Sequence, residues 1–156
     1  MQIEQNPDVM PSMKGAKIAI LQDSWYHEYI DKMAEKCASL LQEAGCSELE
    51  RHILPGSLEL PLAAQSLMRN SKYDAVICFG AIMKGETYHF DMIMNMCADG
   101  FNKVMLSEGV PIIMEVVPVS DVAQLIARSG DDNFNKGIEA AIAAARIIDW
   151  RRQTLS

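Results

Sequence analysis

The sequence predicts a three-layer α/β fold, with helices on both faces of a four-stranded parallel sheet. Three observations predict it. Short apolar runs of strand length alternate with segments of helical periodicity along the chain. The strongest run, Ala75-Val76-Ile77-Cys78-Phe79-Gly80-Ala81-Ile82, is apolar on both faces, as a strand covered by helices on each side must be. Glycine, proline or a capping residue marks most of the junctions.

Ala16 to Leu21 reads as the first strand. From His27 to Ala44, Ile30, Met33, Ala34, Cys37, Leu41 and Ala44 recur at helical spacing, and Gly45 follows as a stop. Leu49 to Leu54 is the second strand, broken by Pro55-Gly56. A short helix covers Leu58 to Arg69, and Pro61 fits only in its first turn, where a missing N–H costs little. After the third strand, a turn holding Lys84-Gly85-Glu86-Thr87 leads into a long helix. Phe90, Ile93, Cys97, Phe101 and Val104 share one face of it. Val110 to Val117 is the fourth strand. Ser120-Asp121 caps a short helix reaching Ser129. Gly130 to Asn133 is a loop, and an Ala-rich helix runs from Asn135 to Trp150.

This order implies right-handed crossovers and a flavodoxin-like arrangement. A single domain is expected over 14–156, preceded by a flexible polar tail over 1–13. The 156 residues carry a net charge of −7, which argues against a nucleic-acid partner, because phosphate backbones demand concentrated positive charge. Cys37, Cys46, Cys78 and Cys97 form no C-x-x-C pair and read as reduced, small apolar residues. The first residues lack the apolar stretch of a signal peptide, and no apolar run approaches the ~20 residues that span a membrane. The expected location is the cytoplasm, with no membrane role.

In open parallel sheets, ligands bind beyond the carboxyl ends of the strands. The first strand runs out at Asp23-Ser24-Trp25-Tyr26, where Trp25 serves equally well as core or as a stacking platform for a flat ring. The second ends at Pro55-Gly56-Ser57-Leu58-Glu59. Gly56 permits close approach of a ligand, and Glu59 accepts hydrogen bonds from hydroxyls or simply favours a helix N-terminus. The third ends at Gly80 to His89, with Gly85 to Thr87 opening the next helix as an anion-holding turn. Glu86-Thr87 replaces the Lys-Ser/Thr of a Walker A loop and there is no G-x-G-x-x-G, so nucleotide binding is not indicated. His89 sits in the first turn of that helix, beside the same space.

Pro55-Gly56-Ser57-Leu58-Glu59-Leu60-Pro61 resembles the "PGAFEIP" segment of lumazine synthases. Gly80 to Asp91, GAIMKGETYHFD, resembles their "GxxIRGxTxHFD" segment, and Asn135-Lys136-Gly137 with Glu139-Ala140-Ala141 resembles their "NKGxEAA" helix start. Arg128 stands eight residues before Lys136, as in their "ERAGTKAGNKG" stretch. The similarity covers nearly the whole chain after residue 16, in matching order and spacing.

That resemblance implies an enzyme needing no cofactor or metal. It would condense a ribitylaminouracil with a butanone phosphate to give a ribityllumazine and inorganic phosphate, the penultimate step of riboflavin synthesis. By motif position, Trp25 would stack on the pyrimidine. Ser57, Leu58 and Glu59 would hold the ring and ribityl hydroxyls, while Ile82 and Met83 line the ring site. Gly85, Glu86 and Thr87 would offer backbone N–H groups to the phosphate, His89 would move protons, Arg128 would pair with the phosphate and Lys136 would lie near the ribityl chain. The family forms pentamers, some stacked into decamers or sixty-subunit shells, with each active site between neighbouring subunits.

Several positions depart from the family pattern. Met114 replaces an aromatic expected at the end of the fourth strand, though thioethers also pack on rings. Glu115 replaces a Gly, Ser24 stands where many members have Arg, and Asp131-Asp132-Asn133-Phe134 replaces "TKAG". These departures set out the alternatives: a lumazine- or flavin-binding homologue, or a shell-forming protein, with little catalysis.

Overall fold

The computed structural model describes residues 3–155. Met1 and Gln2 of the expected tail and Ser156 of the expected domain lie outside the described residues. Strand β1 (Lys17–Asp23) is followed by helix α1 (His27–Glu43), β2 (Glu48–Leu54), a 3-10 turn (Ser57–Glu59) and α2 (Leu60–Asn70). Then come β3 (Ala75–Met83), α3 (His89–Glu108), β4 (Ile112–Val119), α4 (Val122–Arg128) and α5 (Lys136–Thr154). All strands are parallel in the order β2-β1-β3-β4, which confirms the expected fold class.

Two cores sandwich the sheet. Ile18 and Ile20 of β1 and Ile77 and Phe79 of β3 point toward α1 and α5. Ala19 and Leu21 of β1 and Val76 and Cys78 of β3 point toward α2 and α3. The middles of both central strands are therefore apolar on each face, whereas the edge strand β2 alternates and carries Glu48, Glu50 and Arg51, which discourage edge-to-edge pairing. All four cysteines are buried and free.

The strand order reverses direction between β1 and β3, whose neighbouring ends create a crevice. Asp23 pairs in register with Leu54, so β1 and β2 end together, and the β3 end lies beside them. The fourth strand starts two residues later than its apolar run suggests and ends two residues later. Pro111 opens it only through its carbonyl, which accepts from Val76 N at 2.9 Å. Pro118 continues it because β4 is an edge strand, where a missing N–H breaks no ladder.

Asp121 caps α4 by accepting from Gln124 N at 3.0 Å, as its position predicts. Asn135 caps α5: its Oδ1 accepts from Gly137 N at 2.7 Å and its Nδ2 donates to Gly130 O at 2.8 Å. Gly137 is glycine for a packing reason. A Cβ there would collide with the Met33 carbonyl of α1, so the absence of a side chain lets α5 lie against the α1 backbone. At the N-terminus, a 3-10 turn covers Pro7–Val9, Gln5 N donates to Asn133 O at 2.9 Å, and Met13 is fully buried in the α1–α5 core. No helix among the described residues is long and apolar enough to cross a membrane.

Candidate active site

A cavity of about 560 Å³ opens at the carboxyl ends of β1, β2 and β3. The turn from β1 into α1 takes only Ser24 to Tyr26. Ser24 Oγ donates to Pro55 O at 2.9 Å, which ties this turn to the end of β2. Tyr26 holds φ 52 and ψ 37, a left-handed conformation that side chains other than Asn, Asp and Gly rarely adopt. The turn leaves Trp25 at the cavity wall beside Gly56, 66% exposed and outside both cores.

The β2 end supplies Ser57, Leu58 and Glu59 on the 3-10 turn, with Pro61 in the first turn of α2 as expected. The β3 end supplies Ile82 and Met83, and Phe90 and Ile93 of α3 complete an apolar flank. His89 is the first residue of α3, exposed and on the cavity lining, with its backbone N–H donating to Thr87 Oγ1 at 3.4 Å. Of the expected residues, Trp25, Ser57, Leu58, Glu59, Ile82, Met83 and His89 thus share one cavity.

Gly85, Glu86 and Thr87 lie just outside it. They precede α3 instead of opening it, as an exposed segment between Met83 and His89. A Cβ at Gly85 would meet open space, so nothing of this chain covers that segment there.

Met114, Arg128 and Lys136 are elsewhere on the chain. They line a second hollow of about 380 Å³ with Glu115 and Glu139. Met114 is not at the strand end, where the family pattern put it. It is the third residue of β4, in register with Cys78 and packed partly on the α2–α3 core. Arg128 ends α4 and donates from Nη1 to Gln124 O at 3.0 Å. Lys136 Nζ donates to Glu139 Oε2 at 2.7 Å. Burial and then the negative charge of Glu139 push the Glu115 carboxyl up to about 8, against the pull of Lys136. The hollow therefore gathers two cations and two carboxylic groups, with Glu115 held toward its neutral form.

Sequence reasoning passed over Asp23 as a functional group. It follows the apolar run Ile18 to Leu21 and buried Gln22 at the end of β1, is fully buried, and lines the first cavity. Its Oδ2 accepts from Ser57 Oγ at 2.5 Å. Burial pushes its carboxyl above the usual carboxylate range, opposed by the Ser57 hydroxyl and by the Ala81 and Trp25 amides. The Cys97 thiol, which donates to Ser57 O at 3.4 Å, is pushed up to about 11 by burial and by the charges of Asp23 and Glu59. A charged residue ending an apolar strand was the available signal.

Residues 15–152 match the family model for 6,7-dimethyl-8-ribityllumazine synthase. Among curated relatives, a 6,7-dimethyl-8-ribityllumazine synthase of Deinococcus deserti is 35% identical over 88% of this chain and 89% of its own length. Proteins of the same name from Deinococcus radiodurans and Desulfotalea psychrophila are each 36% identical, over 88% and 86% of this chain and 90% of their own lengths. Among solved structures, a GDP-L-fucose synthetase from Naegleria fowleri aligns with 97% of this chain and 49% of its own at 11% identity and a TM-score of 0.40, too distant to bear on function. A full-length match to one family, carried by relatives that this chain covers almost end to end, leaves one assignment: the chain belongs to the 6,7-dimethyl-8-ribityllumazine synthase family.

Proposed function

We propose that this protein condenses 5-amino-6-(D-ribitylamino)uracil with 3,4-dihydroxy-2-butanone 4-phosphate. The products are 6,7-dimethyl-8-ribityllumazine and phosphate, with loss of water, and no cofactor takes part. The observation that carries this reading is the cavity at the β1–β3 crevice, where an exposed aromatic, a carboxylate and an exposed histidine face an apolar flank. Trp25 stacks on the pyrimidine, Ile82 and Met83 floor the ring, and Ser57, Leu58 and Glu59 hold the ring edge and the ribityl hydroxyls. His89 moves protons during imine formation, phosphate loss and ring closure, tasks suited to an imidazole, whose ring nitrogens both accept and donate protons. Holding two reactants together supplies much of the rate enhancement of such a condensation.

The phosphate falls to the backbone N–H groups of Gly85, Glu86 and Thr87 and to the Arg128 guanidinium. Lys136 reaches the ribityl chain, and Met114 packs on the ring edge. Because Met114, Arg128 and Lys136 lie in a different hollow from His89, the reading requires a neighbouring copy to bring them to the cavity. A head-to-tail ring of identical interfaces does this at every junction, and the proposed state is a homopentamer. Exposed apolar side chains such as Leu62, Tyr88, Met92 and Met96 support burial against other copies. The four free cysteines support a reducing, cytoplasmic location.

The test is direct. Purified protein is mixed with both substrates while lumazine absorbance and released phosphate are followed. Product and phosphate should appear in equal amounts. Binding of lumazine or riboflavin without turnover would replace this reading with that of a binding homologue.

A further inference from the structure

The floor of the cavity contains a buried pair whose polarity is fixed. Asp23 is inaccessible to solvent, and its Oδ1 makes no well-formed hydrogen bond among the described residues, so the Ala81 and Trp25 amides ease its charge only from imperfect geometry. Its Oδ2 accepts a hydrogen bond from Ser57 Oγ. A half-paired buried carboxyl is costly, and folds retain such groups where they serve a site. The pair is also tightly enclosed. A Cβ on Gly80 would stand 2.8 Å from Ser57 Oγ, and the Cys97 thiol bonds the Ser57 carbonyl from the other side. The hydrogen bond to Asp23 is what orients the Ser57 hydroxyl within this enclosure.

A serine hydroxyl has one proton to give and two lone pairs to receive with. With its proton committed to Asp23, Ser57 presents only lone pairs to the cavity it lines. A ligand group beside it must bring a proton. An N–H is accepted there, and a carbonyl or phosphate oxygen is turned away.

We propose that Asp23 is a positioning residue that fixes Ser57 Oγ as a hydrogen-bond acceptor and so selects an N–H-bearing edge of the flat heterocycle at this end of the cavity. The proposal rests on the placement of the aminopyrimidine in this cavity. It explains why an ionisable group ends β1, and it orients the pyrimidine: an N–H edge faces Ser57, and the carbonyl oxygens face elsewhere.

The test is a double-mutant cycle on the assembled enzyme, with KM and kcat measured for each substrate. Ser57→Ala and Asp23→Ala should each raise the KM for the aminopyrimidine by about 5- to 20-fold, the range of one well-placed hydrogen bond. The KM for the butanone phosphate should stay within about twofold. Because Asp23 acts through Ser57, the double variant should be no worse than the poorer single one. Asp23→Asn, whose amide oxygen still accepts the Ser57 proton, should recover most of the loss. Multiplying effects in the double variant, or an equal rise in both KM values, would overturn the proposal. Ser57→Ala leaves the strand end intact and decides the matter even if Asp23→Ala fails to assemble: an unchanged aminopyrimidine KM refutes it. A wild-type protein that forms no lumazine from the two substrates refutes the functional assignment itself, and the proposal falls with it.

Discussion

Gly80 passes so close to Asp23 that a Cβ at position 80 would stand 2.6 Å from Asp23 Oδ2. The bare backbone of β3 at this point is what lets a buried carboxyl of β1 reach the hydroxyl of Ser57 beyond β2. Gly80→Ala should therefore push the two groups apart and cost about 1–3 kcal/mol, as overpacking of a filled site does. Gly85→Ala is the control, since a methyl group there meets open space. Urea unfolding of both variants checks this. Equal stabilities would show that the Asp23–Ser57 pair yields without cost.

The histidine prediction concerns chemistry alone. His89 is exposed at the start of α3 and contributes nothing to either core. His89→Ala should lower kcat by about 10- to 1000-fold, the range of general acid–base losses, with little change in KM. Steady-state kinetics with both substrates reads this directly. An unaltered kcat removes His89 from the mechanism.

Trp25 and Trp150 are the two tryptophans, and both are exposed. Only Trp25 lines the cavity; Trp150 sits on α5. Riboflavin or the lumazine product should quench Trp25 emission, and Trp25→Ala should weaken ligand binding by about 1–3 kcal/mol. Trp150 supplies the background. Quenching that survives in Trp25→Ala at the same ligand concentration would show that the ring does not stack on the ligand.

Glu115 predicts a slope in stability against pH. Its carboxyl rises from the ordinary 4.5 to about 8 in the folded chain. Between those values the folded protein keeps a proton that the unfolded chain releases. The contribution is fully present below about pH 4.5 and is lost as pH rises through 8. Asp23, also raised by burial, acts in the same direction. Thermal midpoints measured across this range should fall with rising pH, and Glu115→Gln should flatten the fall. Parallel curves for wild type and variant would exclude Glu115 as its source.

The fold was legible because its central strands are apolar on both faces and its helices are spaced by Gly45, Asp121 and Asn135, signals local to the chain. Strand β4 was misplaced by two residues at each end, since an edge strand tolerates Pro118 and sequence alone does not say which strand lies at an edge. The cavity residues from Trp25 to His89 were legible as strand ends. Asp23 was not, because its role depends on a bond across the sheet to Ser57. The place of Arg128 at the end of the helix after the fourth strand already set it apart from the strand ends, but the separation of Met114 and Lys136 from the cavity was not legible, because it depends on how α5 packs beside β4.

That separation yields the last prediction. His89 faces the cavity of one copy, and Arg128 faces a hollow that the proposed function brings to a neighbour's cavity. His89→Ala and Arg128→Ala should each be nearly inactive as homogeneous assemblies. Co-expressed in equal amounts, the chains assort at random around the ring. A working junction needs an intact histidine from one chain and an intact arginine from the next. Each is supplied half of the time, so about a quarter of junctions should regain activity. A site contained within one chain would regain none, because every chain carries one defect. The measurement is the specific activity of the mixed assemblies against that of each variant alone, with native mass spectra confirming that the chains have mixed. Mixed assemblies no more active than their parents would show that histidine and arginine serve the same chain, and the requirement for a neighbouring copy would be lost with it.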